Sequence, residues 1–303
     1  MSDESGGLIP FSGDEWGKAA KALIEKVSEG IGAAARPWQI RRVAKAEADA
    51  AIIAAESHVH ITELQQRAVQ RFVTEETRKQ ENIESITYQA AEMLGEEADP
   101  SKVDNDWIAN FFDKSKIVSD LEAQALWVKL LAGEATEPGS FSKRSVNILA
   151  DMSKSDALLF NKLCSYSTNS FDRVPLIFDV QNDIYGKQGL NFSVLNDLQS
   201  LGLITFSGIS GYSTTGLPTD FMIEYLGRHI RITLNAGNSL DTGQVIFTAA
   251  GRQLAALTNP SPIEGFYEFL LVQLPRQAGV MAKPVNDLFL SIKPMPWTFT
   301  PTA

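Results

Sequence analysis

Few side chains of this chain are of the types that carry acid–base, nucleophilic or metal chemistry. There are three histidines and one cysteine among 303 residues. His58 and His60 are two residues apart and point to different sides of a helix, whereas a helical metal site needs ligands four residues apart. His229 lies in a predicted strand, and the apolar context of Cys164 favours a buried thiol in the core. We expect no metal and no cofactor.

The motifs of the common catalytic sites do not occur in the sequence. The chain has no GxxxxGK[ST] loop, no GxGxxG turn, no HExxH helix and no GxSxG elbow. Carboxylate pairs such as Glu96 and Glu97 lie in a linker, where both groups are solvated. We therefore expect that the protein is not an enzyme, and only an unfamiliar catalytic activity is left open.

Charge and composition bound the remaining classes of function. The chain has 27 Lys and Arg against 37 Asp and Glu, a formal net charge of -10, so it offers no general basic field to a polyanion and we do not expect nucleic acid as a partner. A hydrophobic content of 44% is ordinary for soluble globular protein. The N-terminus has no signal-peptide pattern and no run reaches the ~18 apolar residues of a membrane span. We expect a cytoplasmic location, with contact at the periphery of the inner membrane left open.

A long helix over residues 37–95 is the element around which the chain is organised. It contains no Gly and no Pro between Pro37 and Leu94, and it is rich in Ala, Glu, Gln, Arg and Lys. Such a helix would be on the order of 80 Å long, more than a compact domain of this size can bury. We expect a homo-oligomer, formed by bundle packing or a short coiled coil, and a further protein partner. The predicted helix-packing face consists of Ile40, Val43, Ile52, Val59, Leu64 and Phe72.

Residues 1–36 are predicted to be a loose leader followed by an amphipathic helix. Gly30 and Gly32 weaken the end of this helix, and Pro37 separates it from the long one. The helix either folds back on a neighbouring helix or meets a membrane surface, and the sequence leaves both open. The face that would meet the membrane or the partner helix consists of Trp16, Leu23, Ile24, Val27 and Ile31.

Residues 101–170 are predicted to form a small helical bundle. Asp104 or Asn105 is expected to cap its first helix. Ser119 and Glu122 have the spacing of a capping box for the second helix, which is expected to end at Gly133.

Residues 171–260 resemble a winged helix-turn-helix domain. The resemblance rests on a leucine-rich helix that runs into Gly-Leu-Ile, on the β-rich runs HIRITLN and QVIFT as a β-hairpin, and on a Thr-x-x-Gly helix that Thr248 caps. The helix that would read DNA, residues 191–201, contains no Lys or Arg, which favours protein contacts over base recognition.

Residues 261–303 are predicted to be a C-terminal docking tail that begins with an apolar helix.

A further resemblance covers most of the chain. The segments PWQIRR, KAEA, QENIE, WIANFFDK, LWVKLLAGE and PGSFSKR are similar to those of a bacterial family known as a domain of unknown function, over about residues 8–257. Members of that family are often carried on genomic islands and prophages. The resemblance implies a setting in phage defence or in the maintenance of mobile elements, and it brings no catalytic residues.

The sequence thus predicts a mainly α protein with a C-terminal α+β part: a long N-terminal helix, a small helical bundle and a winged-helix-like domain. The predicted function is that of a non-enzymatic, oligomerising interaction protein in bacterial antiphage defence. The alternatives are a membrane-perturbing effector that acts through the N-terminal helix and a DNA-binding winged-helix regulator.

Overall fold

The computed structural model describes residues 17–32, 63–170, 172–235, 237 and 239–285. The chain forms two compact units, Met1–Lys154 and Ser155–Ala303. The first unit is helical where it is described, and the second combines short helices with antiparallel sheets. The predicted fold class, mainly α with a C-terminal α+β part, is confirmed.

The described residues of the first unit form a short 3₁₀ helix at Pro100–Lys102 and five α-helices. These are α1 (Lys18–Gly30), α2 (Glu63–Glu92), α3 (Asn105–Ser115), α4 (Leu121–Thr136) and α5 (Lys143–Asp151). The long predicted helix is confirmed from Glu63 to Glu92, and residues 33–62 lie outside the described part of the chain.

Side chains that accept the first free N–H groups set where α3 and α4 begin. Asp104 accepts from the backbone N–H of Trp107 at 2.8 Å, as predicted. The cap of α4 is Asp120, which accepts from the N–H of Ala123 at 2.9 Å. The predicted capping box at Ser119 is therefore wrong by one residue, because a carboxylate next to the serine takes the same role.

The helix α1 packs against α2 and α3 within the first unit. Its buried side chains recur with helical spacing, so one face of α1 enters the core. Gly30 at the end of α1 lies so close to α3 that a Cβ atom there would be 2.5 Å from Cγ2 of Ile108. The interpretation that this helix folds back on its neighbours is confirmed for the described residues. The buried residues of α1 are Ala19, Ala20, Leu23 and Val27.

Three of the segments that carry the family resemblance meet at Phe141. Trp107 of WIANFFDK donates through Nε1 to the carbonyl oxygen of Phe141 at 2.7 Å. Glu134, the last residue of LWVKLLAGE, accepts from the N–H groups of Gly139 and Phe141 at 2.8 Å each. A Cβ atom at Gly133 would lie 2.6 Å from the Phe141 ring. Gly133 is thus needed for close packing inside α4, which continues to Thr136, and the predicted helix end at Gly133 is wrong.

Where it is described, the second unit consists of five α-helices, a 3₁₀ helix at Leu274–Arg276 and nine strands. The helices are α6 (Lys154–Cys164), α7 (Asp183–Gly186), α8 (Phe192–Ser200), α9 (Ala249–Ala255) and α10 (Phe266–Gln273). The strands are β1 (Ser167–Asn169), β2 (Arg173–Pro175), β3 (Ile204–Phe206), β4 (Tyr212–Thr214), β5 (Asp220–Tyr225), β6 (Arg228–Leu234), β7 (Leu240–Gly243), β8 (Val245–Phe247) and β9 (Val280–Val285).

The strands form three antiparallel sheets. The largest has the order β2-β1-β5-β6-β9, while β3 pairs with β8 and β4 with β7. The run HIRITLN belongs to β6 and the run QVIFT to β8, so the predicted hairpin between them is wrong. The strand β5, which precedes β6 in the chain, pairs with β6, and Ile223 faces Ile230. The strand β8 instead pairs with β3, where Phe247 faces Ile204.

The Gly-Leu-Ile and Thr-x-x-Gly segments are neighbours in the fold. Thr248 caps α9 by accepting from the N–H of Gly251 at 3.0 Å, as predicted, and its hydroxyl donates to the carbonyl oxygen of Gly202 at 2.6 Å. A Cβ atom at residue 251 would lie 1.8 Å from the carbonyl oxygen of Leu203, so only glycine fits there. Two of the three features behind the winged-helix resemblance are thus neighbours in the fold, the hairpin is not formed, and the winged-helix domain stays a prediction.

The core of the second unit explains where the two units divide. Phe160 of α6 is buried and its ring contacts that of Phe247, with centroids 5.8 Å apart. Tyr166, just after α6, packs edge-on against Phe266 at 4.8 Å. The helix α6 therefore belongs to the second unit, whereas a boundary near residue 170 was predicted. The predicted tail also contributes to this unit, because β9 pairs with β6, and residues 286–303 lie outside the described residues.

Candidate interaction surface

The C-terminal half of α2 is fixed in the first unit by buried amide side chains. Asn82 donates through Nδ2 to the carbonyl oxygen of Lys116 at 2.8 Å. Gln124 of α4 donates through Nε2 to Oδ1 of Asn82 at 3.0 Å and to the carbonyl oxygen of Val118 at 2.6 Å, and its Oε1 accepts from Ser85. Because these buried amides are hydrogen-bonded, the network holds α2 in one position where it leaves the unit.

Residues 63–81 of α2, called here the exposed half of α2, extend beyond this anchor over about 28 Å. Every residue of this stretch is exposed except Val73, Lys79 and Gln80, which are half-buried. Three large apolar side chains are among the exposed ones: Leu64 is 68% exposed, Val69 46% and Phe72 64%.

The apolar residues of the exposed half of α2 lie on one side of the helix. At 100° per residue, Val69 and Phe72 lie at the centre of an apolar stripe. Ala68 lies on one side of them and Val73 on the other. Leu64 lies at the edge of the stripe. The arginines lie on the opposite side, at residues 67, 71 and 78. This separation is the pattern of a helix whose apolar side is covered by another element.

Ion pairs along the exposed half of α2 are local to the helix. Arg67 lies 3.6 Å from Glu63, and Lys79 lies 2.6 Å from Glu76. Exposed pairs three or four residues apart contribute only a few tenths of a kcal/mol each. They support the helix but leave the apolar stripe uncovered by the described residues.

The structure places two of the four described residues of the predicted N-terminal face in the core. Leu23 is 0% exposed and Val27 2%, so both contribute to the packing of α1 within the unit. Ile24 and Ile31 are half-buried, and Trp16 lies outside the described residues. Leu23 and Val27, two of the residues that a membrane would need, are thus covered by protein.

The predicted helix-packing face is described only in its second half. Leu64 and Phe72 are exposed and available to another chain, and their role in packing stays a prediction. The other four residues of this face lie outside the described part of the chain: Ile40, Val43, Ile52 and Val59.

Sequence reasoning missed a second exposed apolar group, in the second unit. Phe192, the first residue of α8, is 58% exposed and its ring contacts that of Phe206 at 5.3 Å. Ile209 is fully exposed in the following loop. Phe192 and Phe206 lie fourteen positions apart in the sequence, and only the close packing of α8 on β3 brings them together, so no periodicity could have indicated this group.

Two titratable side chains outside α2, Glu134 and Cys164, are buried. Burial raises the pKa of the Glu134 carboxyl, although the N–H groups of Gly139 and Phe141 act in the opposite direction. Burial also raises the pKa of the Cys164 thiol to about 11, so this thiol is unreactive, as its context predicted.

Within the described ranges, no group of three or more His, Cys, Asp and Glu side chains could hold a metal ion. No described helix is both long and apolar enough to cross a bilayer.

Comparison with known proteins gives a family but no activity. Residues 66–271, more than half of the chain, match the family model described as "Protein of unknown function (DUF2806)". The chain belongs to this family. The DUF2806 match begins inside the exposed half of α2 and ends inside α10, so it includes Val69 and Phe72 but not Leu64. Neither a curated protein nor a solved structure matches the chain.

Proposed function

We propose that this DUF2806 chain is a non-enzymatic interaction protein that assembles through the exposed half of α2. The observation that carries the proposal is the contrast within one helix. The C-terminal half of α2 is anchored by Asn82 and Gln124, while Val69 and Phe72 of the same helix remain exposed.

Helix energetics support this proposal. A helical stretch of this length is marginal in water by itself, and its local ion pairs add little. Burying a side chain of the size of Val or Phe contributes about 1.5 to 3 kcal/mol, so covering Val69 and Phe72 would stabilise the exposed half of α2 considerably. A protein partner supplies such cover without changing the anchored half.

Sedimentation of the purified full-length chain over a concentration series tests the proposal. We expect the wild-type chain to assemble and Phe72→Asp to remain a monomer, because a carboxylate in the stripe cannot be buried without a large desolvation cost. The matched control is Thr74→Asp, which adds the same charge on the other side of the helix and should leave the assembly intact. Phe72 is exposed, so neither variant should lower the stability of the first unit.

The result that contradicts the proposal is equally specific. If the wild-type chain and Phe72→Asp both sediment as monomers at every concentration, the exposed half of α2 is not a self-assembly surface. If both assemble to the same extent, assembly uses a different part of the chain.

The setting in antiphage defence is proposed from the family resemblance of the motifs. We expect phages to form fewer plaques on bacteria that carry the intact gene in its native locus than on bacteria in which the gene is deleted. Phe72→Asp should behave like the deletion, and Thr74→Asp like the intact gene. Equal plaque counts for the intact gene and the deletion, across phages of several types, would remove this part of the proposal.

Neither alternative function is favoured by a particular observation. A membrane-perturbing role needs an apolar face that α1 instead buries through Leu23 and Val27. A DNA-binding role needs cations on α8, where residues 192–200 include Asp197 and no Lys or Arg.

A further inference from the structure

We infer that the partner of the exposed half of α2 is the same helix of a second copy, paired antiparallel about a two-fold axis between Gln70 and Arg71. This inference rests on the proposed function, and it specifies both the partner and its direction. It is carried by the identity of the side chains along the centre of the stripe.

Four positions of the stripe have the spacing of a two-helix seam. They follow one another at intervals of four, three and four residues, which keeps them on one side of a helix that pairs with another. Val69 and Phe72 form the apolar centre, and a polar residue lies at each end, Gln65 and Glu76. All four are exposed in the chain by itself.

The direction of pairing follows from these polar ends. In a parallel pair, each residue of the seam faces its own copy, so two Glu76 carboxylates would lie side by side in a partly desolvated position, each in an ion pair with Lys79 of its own helix. Such like-charge contacts are unfavourable. In the antiparallel pair, Gln65 faces Glu76 of the second copy, where an amide can donate to a carboxylate, and Val69 faces Phe72 twice.

The surface area argues for a reversible dimer. A specific interface needs about 1,000 Å² of buried surface. A pair of helices about 28 Å long, with four large side chains at its centre, is a short contact by this measure. The arginines on the other side stay in water, so the two-fold pair buries no unpaired cation.

Disulfide formation between introduced cysteines tests the direction. The full-length Gln65→Cys protein is mixed with the full-length Glu76→Cys protein, one of them carrying an affinity tag, and the mixture is oxidised by air with a copper catalyst. We expect a mixed disulfide, because these positions face each other in the antiparallel pair. Gln65→Cys alone should give none, since its two copies would be separated by about 16 Å along the axis, beyond the reach of a disulfide. Cys164 is buried and needs no replacement.

A control on the other side of the helix completes the test. Thr74→Cys lies away from the seam and should not link to any of the other variants. If Gln65→Cys links to its own copy and not to Glu76→Cys, the pair is parallel and the inference is wrong, while the proposed assembly stands. If the wild-type chain is a monomer throughout, both are wrong, and the stripe is covered by another part of the same chain or by a different protein.

Discussion

Glu134 is a buried carboxyl group whose two oxygens accept from the loop between α4 and α5. Its side chain is 3% exposed in total, and burial is the largest influence on its pKa, which is raised. The structure therefore uses an acidic group, at some cost in desolvation, to satisfy the N–H groups of Gly139 and Phe141. Glu134 thus holds the loop between α4 and α5 in place.

Removal of this carboxyl should destabilise the first unit in a way that depends on pH. Glu134→Ala leaves the buried N–H group of Phe141 without its acceptor and also removes the acceptor of the exposed Gly139, so we expect a loss of about 1 to 3 kcal/mol in the free energy of unfolding. Because the pKa is higher in the folded state, the folded wild-type chain binds more protons, and its stability falls as pH rises through and above the ordinary value of 4.5.

Urea unfolding at several pH values measures both effects. The alanine variant should lack the part of the pH dependence that Glu134 causes, so its deficit should be largest at acidic pH and shrink as pH rises. A deficit that grows as pH rises would contradict the raised pKa. Glu137→Ala is the control, since its carboxylate lies at the exposed end of α4.

At the scale of elements, α1 and α2 contain leucines with opposite surroundings, which gives a matched pair of substitutions. Leu23 is 0% exposed and Leu64 68%. Leu23→Ala should cost about 2 to 5 kcal/mol because it leaves a cavity among α1, α2 and α3. Leu64→Ala should change the stability of the isolated chain by less than about 0.5 kcal/mol. Equal losses in urea unfolding under monomeric conditions would show that α1 is not part of the core.

The elements that local chemistry determines could be predicted from the sequence. The helix α2 follows from an uninterrupted run of helix-forming residues, and the caps at Asp104 and Thr248 follow from short side chains that accept N–H groups. Strand pairing could not be predicted in the same way. The run that became β6 pairs with β5 and β9, and the latter lies some fifty residues further along the chain. Such pairing depends on which distant strands share a face with the core, and no local pattern contains that information.

The candidate surface was only partly predictable for a related reason. Helical periodicity identified Phe72 and Leu64 as members of one stripe, but exposure decides whether a stripe is core or surface. The same kind of pattern in α1 turned out to be core, with Leu23 and Val27 buried. The difference lies in the neighbours, since α1 packs on α2 and α3 while residues 63–81 extend beyond them.

At the scale of the whole molecule, the net negative charge disfavours DNA binding and is compatible with protein assembly. With a net charge of -10, the chain repels a polyanion unless a local basic patch offsets it. The arginines of α2 lie on the side away from the apolar stripe, and three cations of the helix, Arg67, Arg71 and Lys79, pair with Glu63, Glu75 and Glu76. The helix α8, whose position would correspond to the reading helix of a winged-helix domain, contains Asp197 as its only charged residue.

We therefore expect no binding of the full-length chain to duplex DNA, even at low salt. Fluorescence anisotropy of a labelled duplex measures this directly, and a basic DNA-binding protein of similar size serves as the positive control. Binding that weakens steeply as salt increases would indicate contacts to several phosphates, at a slope of about -0.9 per phosphate neutralised, and would favour the DNA-binding alternative. If Phe72→Asp also removed such binding, dimerisation through α2 would be a condition for DNA contact. If binding persisted in Phe72→Asp, the cations responsible would lie outside the assembly surface.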